Sequence, residues 1–569
     1  MNATNAETLI VHGRRIGLLR DEAVSMPSFF LDEAGLCDLE LLLNRGYFPL
    51  CGYATKEECA SILSDMSLPD GTFWPVPITL SVPRDATGEL GPGSRVALRD
   101  REGFMLAVLH ITQIWEPDRR AWARSVYGTD EAGRHPAVDR FLGAEDMVCL
   151  AGPIEGLSLP QHYDFPLLRL TPARINRLLA DRGWRRMIGF QDVPPLHVMH
   201  REVLLSCAAE HGARLFIAPL LPPASFTEVD SFSTVRCYEH FVRNLPSQAA
   251  VLCLPPILRR QSGPRGAMLQ AVVNRNYGCT HFLVHERHDD PFPDETPFYP
   301  SWSALEALDA VSGRMEIRPL PFLPRRYVPE FSVYMAPGEI KEEISSVTVD
   351  HADLEARLAR GEEIPQWYAF PEVVRELLRT RPPAHQLGFT LFLTGLSGAG
   401  KSTVAKVLSI MLQESQHRPV SLLDGDIVRR HLSSELTFSQ EHRNLNVQRI
   451  GYVASEITKN RGIALCAPIA PYPESRRAVR EMVSPWGPFI EIYVSTPLSV
   501  CEQRDRKGLY ARARAGILRG VTGVDDPYLP PENPELEIDT SACSPREAAQ
   551  VVLDYLASQG LIVKAPAKG

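Results

Sequence analysis

The chain has 569 residues, 44% of them hydrophobic and 23% charged, which is enough for about three or four domains with their own cores. The formal net charge of −9 at pH 7 argues against a general role on nucleic acid or on a membrane surface. No stretch approaches the roughly 20 apolar residues of a membrane span, the start lacks the apolar region of a signal peptide, and the 11 cysteines form no C-x-x-C pair. We therefore expect a cytoplasmic enzyme with reduced thiols and without nucleic-acid or membrane partners.

Two predicted domains occupy residues 1–325. Residues 1–165 carry short β-like runs such as FWPVPITLSV and GFMLAVLHI, separated by Pro, Gly and Asp clusters, which predicts a compact β-rich domain. Over 166–325, apolar runs such as RLFIAPLL and THFLVHE alternate with helical stretches. That alternation is typical of a parallel α/β sheet.

A small domain and a second α/β domain follow. Residues 326–385 contain the charged helical segment DLEARLARGEE and end in the linker-like RTRPPAHQ. Over 386–569, helical stretches separate the apolar runs FTLFLT, PVSLLDGD, GIALCAPI and FIEIYVST. This last domain is therefore also predicted to contain a parallel sheet.

The segment LFLTGLSGAGKST, residues 391–403, is the most informative in the chain. It matches G-x-x-x-x-G-K-[ST] at Gly395, Gly400, Lys401 and Ser402, after a buried-strand pattern and before a helical one. Glycines let backbone N–H groups turn inward around a phosphate, Lys401 can neutralise the β/γ oxygens, and Ser402 can bind Mg²⁺. A glycine-rich turn without function would leave the strand context and Lys401 unexplained. The pattern predicts a site for nucleotide phosphates.

Side chains for a second substrate follow this P-loop. Asp424 and Asp426 end the strand pattern LLDGD, where parallel sheets bind ligands, and they suit a Mg²⁺ partner and a general base. An N-cap role is the alternative, because Asp favours helix starts. Further downstream, polar and aromatic side chains suit an anionic acceptor that carries a base, although a solvated helix face is the alternative. These residues are Arg429, Phe438, Arg443, Asn446 and Arg449.

The motifs GLSGAGKST, LDGDIVR, FSQEHRNLNVQR, KGLYARARAG and TGVDDPYLPPENPEL resemble those of the adenylylsulfate (APS) kinase family across 386–569. That family transfers the γ-phosphoryl group of MgATP to the 3′-hydroxyl of APS, forming 3′-phospho-APS (PAPS). The resemblance implies Asp426 as the base, Lys401 and Asp424 as further catalytic residues, and Ser402 with Asp424 as Mg²⁺ ligands. The implied ATP-binding residues are Gly395, Leu396, Ser397, Gly398, Ala399, Gly400, Lys401, Ser402, Thr403 and Arg504. The implied APS-binding residues are Arg429, Phe438, Arg443, Asn446 and Lys507, with Lys507 in a lid.

Two positions depart from the pattern of that family. Ala470 stands where the family has the serine of F-I-S-P-Y-R, so we expect direct phosphoryl transfer in a ternary complex. Val521 stands where the family has the phenylalanine of F-T-G, one of two rings expected around the APS adenine. Base–aromatic stacking contributes on the order of 1–3 kcal/mol, so we expect weaker APS binding without loss of activity.

The first two-thirds of the chain resemble ATP sulfurylase (sulfate adenylyltransferase) in CDLELLLNRGYFPLCGY, AGPIEGLSLPQHYDF and NYGCTHFLV. That family joins sulfate to the α-phosphorus of ATP and releases pyrophosphate. Together the two resemblances imply a multidomain α/β protein. Its domains would be a PUA-like β domain (1–165), a Rossmann-like α/β nucleotidylyltransferase domain (166–325), a small domain with a linker (326–385) and a P-loop kinase domain with a parallel sheet (386–569).

The first catalytic motif of the sulfurylase family, Q-T-R-N-P-L-H-x-x-H, appears here as QDVPPLHVMH. Gln191, His197 and His200 are kept, and the two histidines at i and i+3 can face one ligand. Val193 replaces the sulfate-binding arginine, and Pro194 replaces the asparagine that contacts the nucleotide. Packed histidines without a ligand are the alternative interpretation.

The second motif, G-R-D-H-A-G, appears as HERHDD. His288 is kept, whereas Glu286 replaces an arginine and Asp290 replaces a glycine. Asp192 in the first motif adds another negative charge. Because one lost electrostatic donor costs about 10²–10³ in rate, these changes predict that little sulfurylase activity is left.

Three functions stay open on the sequence. The first is an APS kinase whose sulfurylase-like region is an inactive scaffold. The second is a bifunctional PAPS synthase in which another cation, such as Arg275 or Arg287, replaces the missing arginine. The third makes the sulfurylase-like region a regulatory module that senses PAPS or ATP without turnover. In each case we expect ATP and APS as partners, Mg²⁺ with ATP as cofactor, and a homo-oligomer such as a hexamer.

Overall fold

The structure is a computed structural model that describes residues 8–144, 146–192, 196–220, 229–292, 296–349, 351–416, 418–437 and 439–563. The chain divides into two compact units. The front unit comprises Met1–Leu354 and Ile364–Thr380, and the rear unit comprises Glu355–Glu363 and Arg381–Gly569. Within the ranges given above, no helix has the length and apolar character needed to cross a membrane.

The front unit begins with a β domain. Its strands are β1 (Ser28–Phe30), β2 (Gly52–Tyr53), β3 (Leu80–Pro83), β4 (Arg95–Arg99), β5 (Met105–His110), β6 (Gln113–Trp115) and β7 (Met147–Gly156). Its helices are α1 (Arg14–Val24), α2 (Glu33–Leu43), α3 (Lys56–Asp65), α4 (Arg119–Tyr127) and α5 (Pro136–Gly143). The strands form one sheet in which the long β7 pairs with β2, β3, β5 and β6. The predicted β-rich domain is confirmed.

The second part of the front unit is a parallel α/β layer. Its strands are β8 (Met187–Phe190), β9 (Arg214–Ile217), β10 (Ala250–Leu252), β11 (His281–Val284) and β12 (Arg318–Pro321). Its helices are α6 (Pro172–Asp181), α7 (Val198–Glu210), α8 (Val229–Arg243), α9 (Gly263–Asn276) and α10 (Ser303–Met315). The strand order is β10-β9-β8-β11-β12, and every pairing is parallel. The order reverses between β8 and β11, so the crevice at their carboxyl ends is where such a sheet binds ligands.

The β domain and the α/β layer share one hydrophobic core, which extends from Leu31 to Ile317. Hydrogen bonds also connect the β domain to the α/β layer. Arg265 at the start of α9 donates to the carbonyl oxygens of Ile62, Leu63 and Pro75 at 2.9–3.0 Å. Because this guanidinium is satisfied by backbone of the β domain, the two parts of the front unit form one continuous body.

A hairpin and two helices follow the α/β layer along the chain. They are β13 (Arg326–Val328), β14 (Val333–Met335), α11 (His351–Arg360) and α12 (Pro371–Thr380). Helix α12 packs on α8 of the front unit through Glu376, which accepts from Ser233 at 3.2 Å and pairs with Arg236 at 3.2 Å.

The rear unit is a five-stranded parallel sheet between helices. Its strands are β15 (Phe389–Thr394), β16 (Val420–Asp424), β17 (Ile463–Ala467), β18 (Phe489–Val494) and β19 (Leu536–Ile538), in the order β16-β17-β15-β18-β19. Its helices are α13 (Lys401–Ser415), α14 (Gly425–Leu432), α15 (Gln440–Lys459), α16 (Pro473–Val483), α17 (Leu498–Arg504), α18 (Leu509–Arg514) and α19 (Pro545–Ser558). Hydrophobic clusters cover both faces of the sheet. The central β15 is buried along its whole length and points its carboxyl end at the P-loop.

Candidate active sites

The P-loop leaves the rear sheet at Thr394, whose hydroxyl donates to the carbonyl oxygen of Ile469 at 2.7 Å. Gly395 has a φ of +147°, and a Cβ at this position would lie 2.5 Å from the carbonyl oxygen of Val494. Only glycine fits that backbone path beside β18. The loop then turns directly into α13, which starts at Lys401. The N-terminus of α13 therefore points at the space that the loop encloses, as a phosphate site requires.

The ammonium group of Lys401 lies inside the loop. It donates to the carbonyl oxygens of Gly395 at 2.9 Å and Leu396 at 2.8 Å, and the residue is only 6% exposed. Burial lowers the pKa of Lys401 to about 8, and the nearby Lys507 acts in the same direction. A phosphate oxygen is a stronger acceptor than a neutral carbonyl. Lys401 is thus held where it can exchange two carbonyl contacts for nucleotide oxygens.

The lowered pKa of Lys401 predicts how ATP use depends on pH. In the free protein the ammonium loses its proton as the pH rises through about 8, and the neutral amine attracts phosphate poorly. We expect kcat/KM for ATP to fall above about pH 8, whereas kcat at saturating ATP keeps its plateau to higher pH because bound phosphate raises the pKa. Lys401→Arg should not show this fall in kcat/KM at high pH, because a guanidinium stays protonated. A wild-type kcat/KM that is flat from about pH 7 to about pH 9 would contradict the assignment.

Ser402 and Asp424 form the predicted Mg²⁺ pair. The Ser402 hydroxyl donates to Asp424 at 2.6 Å, and Asp424 is 8% exposed at the end of β16. A hydroxyl and a carboxylate side by side fit Mg²⁺, which takes one or two protein oxygens and completes its shell with water and phosphate oxygens. The second oxygen of Asp424 accepts the N–H of Asp426 at 3.0 Å. Asp424 is therefore also the N-cap of α14, and the two interpretations of this residue are compatible.

Asp426 lies in the first turn of α14, with its side chain 69% exposed. Its carboxylate forms an ion pair with Lys507, which lies between α17 and α18. An exposed carboxylate beside the P-loop can reach a substrate hydroxyl, as a general base must. The structure therefore brings the P-loop lysine, the metal pair and the candidate base to one edge of the rear sheet.

The predicted APS-binding residues lie beside Asp426. Arg429 donates to a loop carbonyl at 3.0 Å, and Arg443 pairs with Asp526 at 2.7 Å. Asn446 is 8% exposed on α15, and its Oδ1 has no hydrogen-bond partner among the residues the structure describes. Phe438 lies outside the described residues. Two cations and a buried amide oxygen therefore line the side of the site where an anionic acceptor is expected.

Arg504, one of the implied ATP-binding residues, is held in place by Thr540. It donates to the hydroxyl of Thr540 at 2.8 Å and to its carbonyl oxygen at 2.9 Å. The same hydroxyl donates to the carbonyl oxygen of Ala399 in the P-loop at 2.8 Å. Sequence reasoning missed Thr540, because no local motif marks it. Arg449 pairs with Glu435 at 2.6 Å, which matches the alternative of an ordinary solvated helix face.

The two positions that depart from the kinase pattern are both buried. Ala470 has a φ of +46°, and its carbonyl oxygen accepts from Arg476 at 2.8 Å. Val521 is 8% exposed and packs in the rear hydrophobic core. The weaker APS binding expected from the missing ring at this position stays a prediction.

In the front unit, the altered sulfurylase motifs meet at the crevice between β8 and β11. The carboxylate of Asp192 lies 3.4 Å from Nε2 of His200 and 3.8 Å from Nε2 of His285. Gln191 is 1% exposed, and its side-chain amide has no hydrogen-bond partner within the described ranges. Asp192 is therefore a partner of the histidines and not an isolated negative charge.

Each motif contains one histidine that closes a short turn. Nδ1 of His200 accepts the N–H of His197 at 2.9 Å, and Nδ1 of His288 accepts the N–H of His285 at 3.3 Å. Nε2 of His288 then donates to Gln270 at 2.8 Å, and burial lowers the pKa of His288 to about 3, so it stays neutral. The rings of His197 and His200 stack with centroids 5.5 Å apart. The alternative of packed histidines without a ligand predicts such stacking. In the same arrangement Nε2 of His200 faces Asp192.

Asp290 has a role that the sequence did not suggest. It is 1% exposed, and its carboxylate accepts three N–H groups of its own loop at 2.8, 3.0 and 2.9 Å. It therefore organises this loop, in addition to filling the place of a glycine. Glu286 is exposed. Val193 and Pro194 lie outside the described residues.

Arg275 does not replace the missing arginine of the sulfurylase motif. It lies in the last turn of α9 and donates to the carbonyl oxygens of Phe48 and Met315 at 3.4 and 3.3 Å, on the side of the unit away from the crevice. Arg259 is a further cation at the HERHDD loop, which itself contains Arg287, and it donates to the carbonyl oxygen of Asp290 at 2.6 Å. No motif or spacing in the sequence points to Arg259.

The parallel sheet, the loop around Lys401 and the Ser402–Asp424 pair define the rear unit as a P-loop nucleotide-binding domain. Comparison with known families makes this more specific. The adenylylsulphate kinase family matches residues 387–539, the ATP-sulfurylase family matches 166–380, and the PUA-like domain family matches 3–159. The chain belongs to the family of proteins that join an ATP-sulfurylase region to an adenylylsulphate kinase domain.

Several relatives match the chain along nearly its whole length. The chain is 38% identical to the sulfate adenylyltransferase of Phaeosphaeria nodorum over 95% of each chain. It is also 38% identical to the sulfate adenylyltransferase of Coccidioides immitis over 96% of each chain. Among solved structures, the hexameric APS kinase from Thiobacillus denitrificans is 37% identical, covers 98% of both chains and has a TM-score of 0.78.

Proposed function

We propose that the rear unit is an adenylylsulfate kinase, which transfers the γ-phosphoryl group of ATP to the 3′-hydroxyl of APS. The observation that carries this proposal is the arrangement of Lys401, the Ser402–Asp424 pair and Asp426 at one edge of the sheet. The family match over 387–539 supports it. A relative from Thiobacillus denitrificans with the same fold, which covers 98% of the chain, is named as an APS kinase.

In this proposal each group has one task. Lys401 binds the β/γ-phosphate oxygens, and Ser402 with Asp424 would hold a Mg²⁺ ion that neutralises charge on them. Asp426 accepts the proton of the 3′-hydroxyl as that oxygen bonds to phosphorus and the bond to the ADP oxygen breaks. Lys507 must leave Asp426 when the acceptor enters. Since Ala470 carries no hydroxyl, no serine at this position forms an intermediate.

The test is ADP formation by the purified chain from ATP with and without APS. The proposal requires that ADP forms only with APS and that PAPS appears in equal amount. Incubation with γ-labelled ATP alone should leave the protein unlabelled. ATP hydrolysis that ignores APS would contradict the proposed acceptor.

A second activity, sulfate adenylyltransfer by the front unit, is favoured by the names of the full-length relatives. Those names support a bifunctional protein better than the inactive scaffold expected from the altered motifs. His200 and His285 around Asp192, at the ligand-binding end of a parallel sheet, are the residues that would contact the nucleotide or pyrophosphate.

The reverse reaction, ATP formation from APS and pyrophosphate, decides between these interpretations of the front unit. The assay is best done in the Lys401→Ala background, because the kinase would otherwise consume both APS and ATP. A bifunctional protein should form ATP, and His200→Ala should reduce the rate by about 10²-fold or more. If the Lys401→Ala protein with an unaltered front unit forms no ATP, sulfate adenylyltransfer is excluded as a second activity. The scaffold and sensor interpretations of the front unit would then be left.

We also propose that the protein works as a homo-oligomer, because a solved relative that covers 98% of the chain is described as hexameric. Light scattering of the purified chain measures this directly. A monomer at the concentration used in the assays would contradict it.

A further inference from the structure

The predicted lid is the basic, glycine-rich segment RDRKGLYARARAGILRGVTGVDDPY, residues 504–528, and its end covers the arginine that is proposed to bind the acceptor. Arg443 lies in the first turn of α15, and its side chain is only 12% exposed. Its Nη1 donates to Asp526 Oδ2 at 2.7 Å and also contacts the Thr522 hydroxyl, while its Nη2 donates to the carbonyl oxygen of Gly520. Both terminal nitrogens of Arg443 are thus engaged by residues 520–526, which we call the lid end.

Asp526 is the centre of this contact. Besides Arg443, its carboxylate accepts the Tyr472 hydroxyl at 2.7 Å and the Thr522 hydroxyl at 3.1 Å. Tyr472 is 4% exposed and precedes α16, so it belongs to the fixed body of the unit. One carboxylate therefore joins the lid end to the acceptor arginine and to the loop after β17.

The lid end also contacts the P-loop. Gly523 has a φ of +93°, and a Cβ there would lie 2.9 Å from a methyl carbon of Leu396. Asp525, next to Asp526, turns its carboxylate the other way and accepts the N–H groups of Gly520 and Val521 at 2.5 and 2.6 Å. Asp525 shapes the lid end internally, whereas Asp526 attaches it to Arg443.

We propose that Asp526 is a positioning residue that acts as an internal counter-anion, holding Arg443 and the lid end together until the phosphosulfate group of the acceptor takes its place on Arg443. The inference rests on the proposed kinase function. A guanidinium prefers a bidentate anion such as phosphate or sulfate to one carboxylate oxygen, so the exchange can occur. Because only the fraction of molecules with Arg443 released binds the acceptor fully, Asp526 weakens apparent affinity. Its release also allows the lid end to respond to acceptor binding.

The experiment measures kcat and the KM for APS in Asp526→Asn, Asp526→Glu and Glu441→Gln. Asparagine keeps the size and the acceptor for Tyr472 but removes the charge. We expect the KM for APS to fall about three- to tenfold in Asp526→Asn without a rise in kcat. Asp526→Glu should lie closer to the wild type, because the charge is retained. Glu441→Gln is the matched control, because it removes an exposed carboxylate from the same turn of α15 as Arg443, and its KM should stay within about twofold of the wild-type value.

Thermal unfolding gives a second readout. Without ligand, Asp526→Asn should unfold at a lower temperature than the wild type, because Arg443 is left buried without its pair. Added APS should narrow that difference, since the phosphosulfate group then supplies the missing anion. If Asp526 has a purely structural role, Asp526→Asn should lower the unfolding temperature equally with and without APS. The KM for APS would then rise or stay unchanged.

The outcomes separate this inference from the proposed function. If the wild type forms no ADP in response to APS, the kinase proposal itself is wrong. If the wild type is active and Asp526→Asn has an unchanged or higher KM, only the counter-anion role is overturned. If Asp526→Asn fails to fold, the KM for APS of Tyr472→Phe tests the counter-anion role instead. This substitution frees one oxygen of Asp526 from the fixed body, and a KM for APS at least about twofold lower is expected, whereas an unchanged KM overturns the inference.

Discussion

Lys401→Ala should lower APS-dependent ADP formation at least about a hundredfold. The ammonium group is buried within the P-loop and donates to two carbonyl oxygens that nucleotide phosphates would replace. During phosphoryl transfer negative charge shifts toward the leaving β-phosphate, and a fixed positive charge in a water-poor site stabilises that shift. The measurement is steady-state ADP release at saturating ATP and APS.

The matched control for this variant is Lys406→Ala. Lys406 lies on the same helix, α13, but its side chain is exposed, so its loss should leave turnover near the wild-type value. Circular dichroism and thermal unfolding establish that both variants are folded. Near wild-type turnover in folded Lys401→Ala would refute the P-loop assignment, whereas equal losses in both variants would indicate a general effect on α13.

Asp426→Asn is the second change with a large expected effect. If Asp426 accepts the 3′-hydroxyl proton, kcat should fall about 10²- to 10⁴-fold while the KM for APS changes little. The side chain is largely exposed, and Lys507, its ion-pair partner among the described residues, is itself more than half exposed, so the substitution should leave the fold of α14 intact. Pre-steady-state measurement of PAPS formation separates this chemical step from product release.

Glu441→Gln serves as the control for removal of a negative charge near the acceptor side. Glu441 is exposed in the first turn of α15 and is not part of the proposed machinery. Its kcat should match the wild type. An effect of Asp426→Asn on KM alone would demote Asp426 to a binding residue, because a base acts on the chemical step.

Local sequence was sufficient where function depends on consecutive residues. The P-loop is one such case, since one strand–loop–helix unit carries Gly395, Lys401 and Ser402. The backbone geometry requires glycine at position 395. The two parallel sheets were predictable for a similar reason, because buried strands read as short apolar runs separated by helical patterns. The β-rich start followed from its short runs and frequent turn residues.

Only the tertiary structure decided which groups meet across the chain. Asp526 and Arg443 are 83 positions apart, and no periodicity or motif spacing connects them, so their pairing depends on how the lid end packs. In the front unit, Asp192 was expected to repel anions, yet folding places it beside His200 and His285. The sequence by itself determines which residues are present and which motifs they form with their neighbours in the chain. The distance between residues far apart in the chain depends on how the helices, strands and loops that carry them pack together.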